Sequence, residues 1–154
     1  MEKDIRQSIT DYKMPRYICE ILCNHYAKAF LDMTIICEND TYIFSYDKKN
    51  KRRLLYRELT EIDKLQLVQT LIMINDNNCQ MLIGAERYLI EPELIYSVRN
   101  RTDYNSIGIL FYPDTTMTPF NIKLIRFMDK IGTKNKKNIF KYSSRFSYYF
   151  FSRK

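Results

Sequence analysis

Glycine is scarce in this chain: three residues in 154, with no glycine-rich loop of the kind that wraps phosphate groups. Histidine is scarcer still. His25 is the single copy, and no serine or cysteine arrangement around it specifies nucleophilic catalysis. The four cysteines, Cys19, Cys23, Cys37 and Cys79, lack the paired spacing of a disulfide framework. With no signal peptide ahead of them, they fit a reducing cytoplasm. No apolar run approaches the roughly 20 residues that span a bilayer, so the chain is not expected to cross a membrane by itself. No internal repeat or low-complexity tract stands out.

What is present is a single domain's length of sequence, able to bury roughly 70% of its unfolded surface without staples, and an uneven charge. The formal net charge is +7. From Lys123 onward ten lysines and arginines face Asp129 alone, net +9, which leaves residues 1–122 with fifteen bases against seventeen acids, near −2. Lys123, Arg126, Lys130, Lys134, Lys136, Lys137, Lys141 and Arg145 are therefore the candidate contacts for an anionic surface. A second basic run, residues 48–53, reads first as a solvated turn and second as a phosphate or acidic-lipid contact. The aromatic residues 148–151, flanked by Arg145, Arg153 and Lys154, read as core packing or as an interfacial membrane contact.

The chain is organised around residues 60–114. Thr60 is an N-cap with Asp63 three residues on, and Ile62, Leu65, Val68, Leu71, Ile72, Cys79 and Leu82 recur at helical spacing. The helix is expected to pass through the Asn75-Asp76-Asn77-Asn78 run, held there by tertiary packing, to about Ile83, with Gly84 as the stop. Residues 88–98 and 107–112 read as strands of a hairpin around a polar loop, broken by Pro113-Asp114. Earlier, a polar lead-in over residues 1–14 precedes a helix from about Arg16 to Ala29. Residues 33–38 and 41–46 follow as a hairpin turning at Asn39-Asp40. Later, Pro119 opens a helix that Gly132 closes, and a last helix is expected from about Lys134. The order is α, ββ, α, ββ, αα: an α+β plan in one domain over residues 1–154, with helix and first hairpin in about 16–59 and the remainder in about 60–154.

Two sharper readings compete with plain ones. Cys19 and Cys23 lie one helical turn apart and, with His25, invite a zinc reading, but a closed site needs four ligands and His25 falls off their face. Buried structural cysteines and a polar histidine tip are the simpler account. Asp114 follows a strand as a metal-binding aspartate would, yet Pro113-Asp114-Thr115-Thr116 has no phosphate-positioning glycine, and a turn-forming role is favoured. A phosphotransferase also needs a glycine-rich loop and a catalytic-loop aspartate beside an asparagine ligand. The chain has no such glycine loop, and residues 84–91, where a catalytic loop would follow the long helix, offer no aspartate beside an asparagine, so no enzyme activity and no cofactor are expected.

The runs 17–31, Phe44-Ser45-Tyr46-Asp47, Leu54-Leu55, 88–96, 109–113 and 124–131 leading to Tyr142 occur in an order that resembles a known family. It is the domain of unknown function found at the N-terminus of Firmicute proteins that carry a forkhead-associated domain after a membrane segment. More distantly the chain looks like the cytoplasmic pseudokinase-like domain of the EssB/YukC component of type VII secretion. The resemblance covers about residues 17–151 and rests on the order of weak motifs. It implies a reduced kinase-like two-lobe fold, with small antiparallel hairpins packed on helices, that transfers no phosphate. It also implies a protein-interaction module with protein partners at the cytoplasmic face of a membrane-anchored parent, and the basic balance from Lys123 onward adds an anionic membrane surface as an expected contact. The alternative is a small basic nucleic-acid-binding protein using residues 123–154, although no motif for specific reading of nucleic acid is present.

Overall fold

The computed structural model describes residues 5–133. Among the described residues the architecture is mixed α+β, with three α-helices and two three-stranded antiparallel sheets. The first sheet has the order β1-β3-β2, formed by β1 (Ile5–Thr10), β2 (Asp32–Glu38) and β3 (Thr41–Asp47). The β2–β3 hairpin turns at Asn39 and Asp40, both in the left-handed region (φ 49° and 61°), as two short polar side chains permit. Part of the polar lead-in becomes β1, paired along β3 from Ile5↔Tyr46 to Thr10↔Thr41. Its sequence carries only two apolar residues, Ile5 and Ile9, because one face of this edge strand meets water.

The second sheet has the order β4-β5-β6: β4 (Arg52–Arg53), β5 (Ile95–Ser97) and β6 (Ile107–Ile109). The expected second hairpin is therefore present, but shorter. Residues 88–90 do not form a regular strand; Tyr88 makes an isolated bridge to Pro113, and Leu94 ends a short 3-10 turn, Pro92–Leu94. The far side of β6 is covered by the chain after α1, where the Ile109 amide donates to Ala29 O at 2.8 Å and the Leu31 amide to Ile109 O at 2.9 Å. Gly108 is needed in β6 because a Cβ there would sit 2.8 Å from both Leu31 Cδ2 and Lys51 Cδ.

Helix α1 (Arg16–Cys23) is shorter than its apolar periodicity predicts. The Tyr26 amide donates to Ile21 O and the His25 amide to Leu22 O, while His25 turns left-handed (φ 59°). This pair of bonds is the Schellman ending, with histidine in the position usually given to glycine. Helix α2 (Glu61–Gln80) begins as expected: the Asp63 amide donates to Thr60 Oγ1 at 3.1 Å and the Thr60 amide to Asp63 Oδ2 at 3.0 Å. It runs through the asparagine stretch and stops before Ile83. Leu82 (φ 60°), not Gly84, takes the left-handed position, with the Ile83 amide on Asn78 O and the Leu82 amide on Cys79 O. Asn75 and Asn78 are buried, and their side chains reach the Ala85 amide and the Tyr88 hydroxyl. Helix α3 (Phe120–Ile131) ends at Gly132 (φ 70°), as its sequence predicts.

The expected apolar face of α2 is corrected in part. Val68, Leu71 and Ile72 are buried, but Ile62 and Leu82 are exposed, and Leu67, Thr70 and Ile74 are buried as well. The buried positions still form one broad, contiguous face, about half of the circumference, but it includes Thr70, Asn75 and Asn78, while Ile62 and Met73 stand on the opposite, exposed side with Gln66 and Gln69. Val68 and Leu71 share one core cluster with Tyr96, Ile109 and Phe111 of the second hairpin. Phe111 lies 5.3 Å from Phe30 and 6.4 Å from Phe44 between ring centroids, joining the two sheets through aromatic contacts.

Candidate functional site

After β6 the chain reaches Pro113-Asp114, where the Tyr88↔Pro113 bridge and the Asp114 amide bonded to Arg87 O (2.9 Å) fix the backbone. Asp114 then folds the next four residues around its own carboxylate. Oδ1 accepts from the Thr116 amide (2.8 Å) and hydroxyl (2.5 Å), and Oδ2 from the Thr118 amide (3.3 Å). The turn-forming reading of Asp114 is correct as far as it goes. Pro119 then leads into α3, whose first turn brings Lys123 back beneath the aspartate.

Lys123 Nζ lies 2.6 Å from Asp114 Oδ2 and also donates to Ala85 O (2.6 Å) and Tyr88 O (2.5 Å). Three donors meet three acceptors, so the ammonium is saturated although its side chain is only 6% exposed. Burial would raise the Asp114 carboxyl's pKa, but the hydrogen bonds from Lys123 and Thr116 outweigh it and hold the group below its ordinary value. Burial pulls Lys123 below the usual lysine range against the opposing pull of Asp114.

This pair floors a cleft of about 390 Å³ bounded by residues 89–91, 112–116, Thr118 and the start of α3, with Ile9 of β1 on its wall. Lys123, Arg126 and Lys130 stand at three- and four-residue spacing on one side of α3. Lys123 is thus removed from the expected anionic-surface set, because it is buried and fully bonded. Lys130 remains partly exposed but pairs with Glu91. Arg126 is exposed at the rim of the cleft. Lys134, Lys136, Lys137, Lys141 and Arg145 lie outside the described residues, as do the last expected helix and the aromatic run 148–151.

The burial of Lys123 was missed, although a signal for it exists. Lys123 is three residues after Phe120 and four before Phe127, both buried, which places it on the inward stripe of α3. Its partner could not be read from spacing, because Asp114 is outside the helix.

The cysteine and histidine cluster is arranged differently from a metal centre. Cys19 and Cys23 lie on α1, but His25 belongs to the turn after it, with Nδ1 3.3 Å from Asp32 Oδ1. Lys49 pairs with the other oxygen of Asp32. Among the described residues no group of three or more His, Cys, Asp or Glu side chains is placed to hold a metal ion. Burial, reinforced by the nearby Cys23, pushes the Cys19 thiol above its ordinary range, which disfavours the thiolate a nucleophile or ligand requires. Among the described residues no helix is long and apolar enough to cross a membrane. No protein-family model matches the chain, and no curated protein shows significant similarity to it.

Proposed function

We propose that this chain is a non-catalytic protein-interaction domain with a reduced kinase-like two-lobe plan, serving a membrane-associated protein of the forkhead-associated or type VII secretion-like kind. The family reading rests on the ordered motifs described above. The observation that carries the non-catalytic part is the state of Asp114. In the kinase-like comparison this aspartate, following a strand, stands nearest to a metal ligand. Both of its oxygens are instead engaged by Lys123, Thr116 and Thr118. A magnesium ion there would have to displace a buried ammonium and dismantle the turn. The pair serves instead as a strut that holds α3 against residues 85–88, and the surfaces around it are free to contact a partner.

A thermal-shift titration tests this reading. Mg-ATP is expected to give no stabilisation that depends on magnesium. Saturable stabilisation at about micromolar Mg-ATP, abolished by EDTA, would overturn it. For the membrane-proximal part, vesicles containing anionic lipid should bind the full chain weakly, with affinity falling as salt rises. Sequence-dependent nucleic-acid binding that survives physiological salt would instead favour the nucleic-acid reading.

A further inference from the structure

Away from the Asp114 cleft, the edge of the second sheet carries an unusual concentration of guanidinium groups. β4 contributes Arg52 and Arg53, and the loop leaving β5 contributes Arg99. Together with Asn50, Leu55, Glu58, Ser97 and Asn100 they line a cleft of about 440 Å³, within the size range of small-molecule sites. Arg52, Arg53 and Arg99 are exposed. Glu58 is the one acid in the lining, and among the described residues neither Arg52 nor Arg99 has an acid within ion-pair distance. Arg53 is oriented by its Nε–H, which donates to the Tyr96 hydroxyl at 3.3 Å.

The backbone holding Arg99 is arranged at a cost. The Arg101 amide donates to Val98 O at 3.1 Å, closing a tight turn whose two central residues, Arg99 (φ 52°) and Asn100 (φ 59°), are both left-handed. Asparagine suits such a turn, but arginine is a poor choice for its first central position, where glycine, asparagine and aspartate predominate. The turn is also fastened across the cleft. Asn100 Oδ1 accepts from the Leu55 amide at 2.8 Å, and its Nδ2 donates to Leu55 O at 3.2 Å. This two-point clamp ties Arg99 to the segment that directly follows Arg52 and Arg53. The firmly held turn fixes Arg99 at the wall of the cleft that Arg52 and Arg53 also line.

We propose that this cleft binds a compact phosphate group carried by a small molecule, with Arg52 and Arg99 as its main ligands and Arg53 as a third cation. Guanidinium groups suit this task because their planar forks donate paired hydrogen bonds to phosphate oxygens. The concave cleft favours a compact ligand over a polymer, which would need a longer basic track.

The test uses the full chain with pyrophosphate and orthophosphate as probes, read by isothermal calorimetry and melting temperature against chloride at matched ionic strength. Saturable binding is expected, tighter for pyrophosphate, and independent of magnesium. Arg99→Gly should weaken it at least about tenfold while leaving the ligand-free melting temperature unchanged or higher, since glycine tolerates the left-handed backbone. Arg52→Gln should weaken it similarly, and Arg99→Lys should fall between, keeping the charge but losing the fork. Absence of saturable binding up to about 10 mM would overturn the proposal. So would unchanged affinity in both Arg99→Gly and Arg52→Gln, or tighter binding of a single-stranded oligonucleotide than of pyrophosphate at physiological salt.

Discussion

The Thr70 hydroxyl donates to Thr102 O at 2.7 Å inside the core, fastening the middle of α2 to the loop between β5 and β6. The Thr102 hydroxyl in turn donates to Gln66 Oε1 at 2.7 Å, one helical turn earlier. Both threonines are 3% exposed, so the buried bond between Thr70 and Thr102 has no water as a ready substitute. Thr70→Val keeps the shape and removes the donor. It should cost about 1–3 kcal/mol in denaturant unfolding, through the stranded carbonyl of Thr102, whereas Thr70→Ser should retain most of the stability.

The Asp114–Lys123 pair should behave as a coupled unit. Asp114→Ala leaves a buried ammonium without its counter-charge and should cost about 3–5 kcal/mol. Lys123→Met is expected to be similarly damaging, because it strands the carboxylate and leaves Ala85 O and Tyr88 O without their donor. The double variant should be markedly more stable than the sum of the two losses predicts. A double-mutant cycle from urea melts measures this coupling, and strict additivity would show that the pair does not act as a strut.

Acid should expose the same pair. The folded carboxyl of Asp114 titrates below its ordinary value, so its stabilisation is complete above the unfolded carboxyl pKa of about 4 and is lost as pH falls through the folded value. Stability measured from about pH 5 downward should therefore fall more steeply for the natural chain than for Asp114→Asn, which has no proton to take up.

Leu82 should be improvable. It is 73% exposed and sits left-handed at the end of α2, so its side chain contributes little burial while its backbone carries a steric cost. Leu82→Gly should raise stability by about 1 kcal/mol in the same melts. The bond from the Tyr17 hydroxyl to Leu82 O (2.8 Å) uses the backbone and should persist.

Features governed by neighbours in the chain were legible in the sequence. The Thr60–Asp63 capping box, the Asn39-Asp40 turn and the Gly132 ending each depend on a few adjacent residues whose own chemistry selects the conformation. The α+β order and the antiparallel hairpins follow from the same local signals. The ends of α1 and α2 were not legible in this way. His25 and Leu82 hold left-handed positions that their side chains disfavour, because the packed surroundings dictate where each helix must stop.

The candidate sites divide along the same line. Composition and spacing by themselves determined that no glycine-rich phosphate loop exists and that basic residues gather toward the chain's end. They could not reveal that Lys123 turns inward to Asp114, because that pairing depends on how α3 packs against residues 85–88. Nor could they bring Arg52 and Arg99 to one cleft, since 46 positions of intervening sequence become neighbours only when β4 pairs with β5. Local propensity acts over a few residues, whereas burial and strand pairing act across the whole chain. The Thr60 start of α2 and the Gly132 end of α3 were set by the first, and the placement of every charged group discussed above by the second.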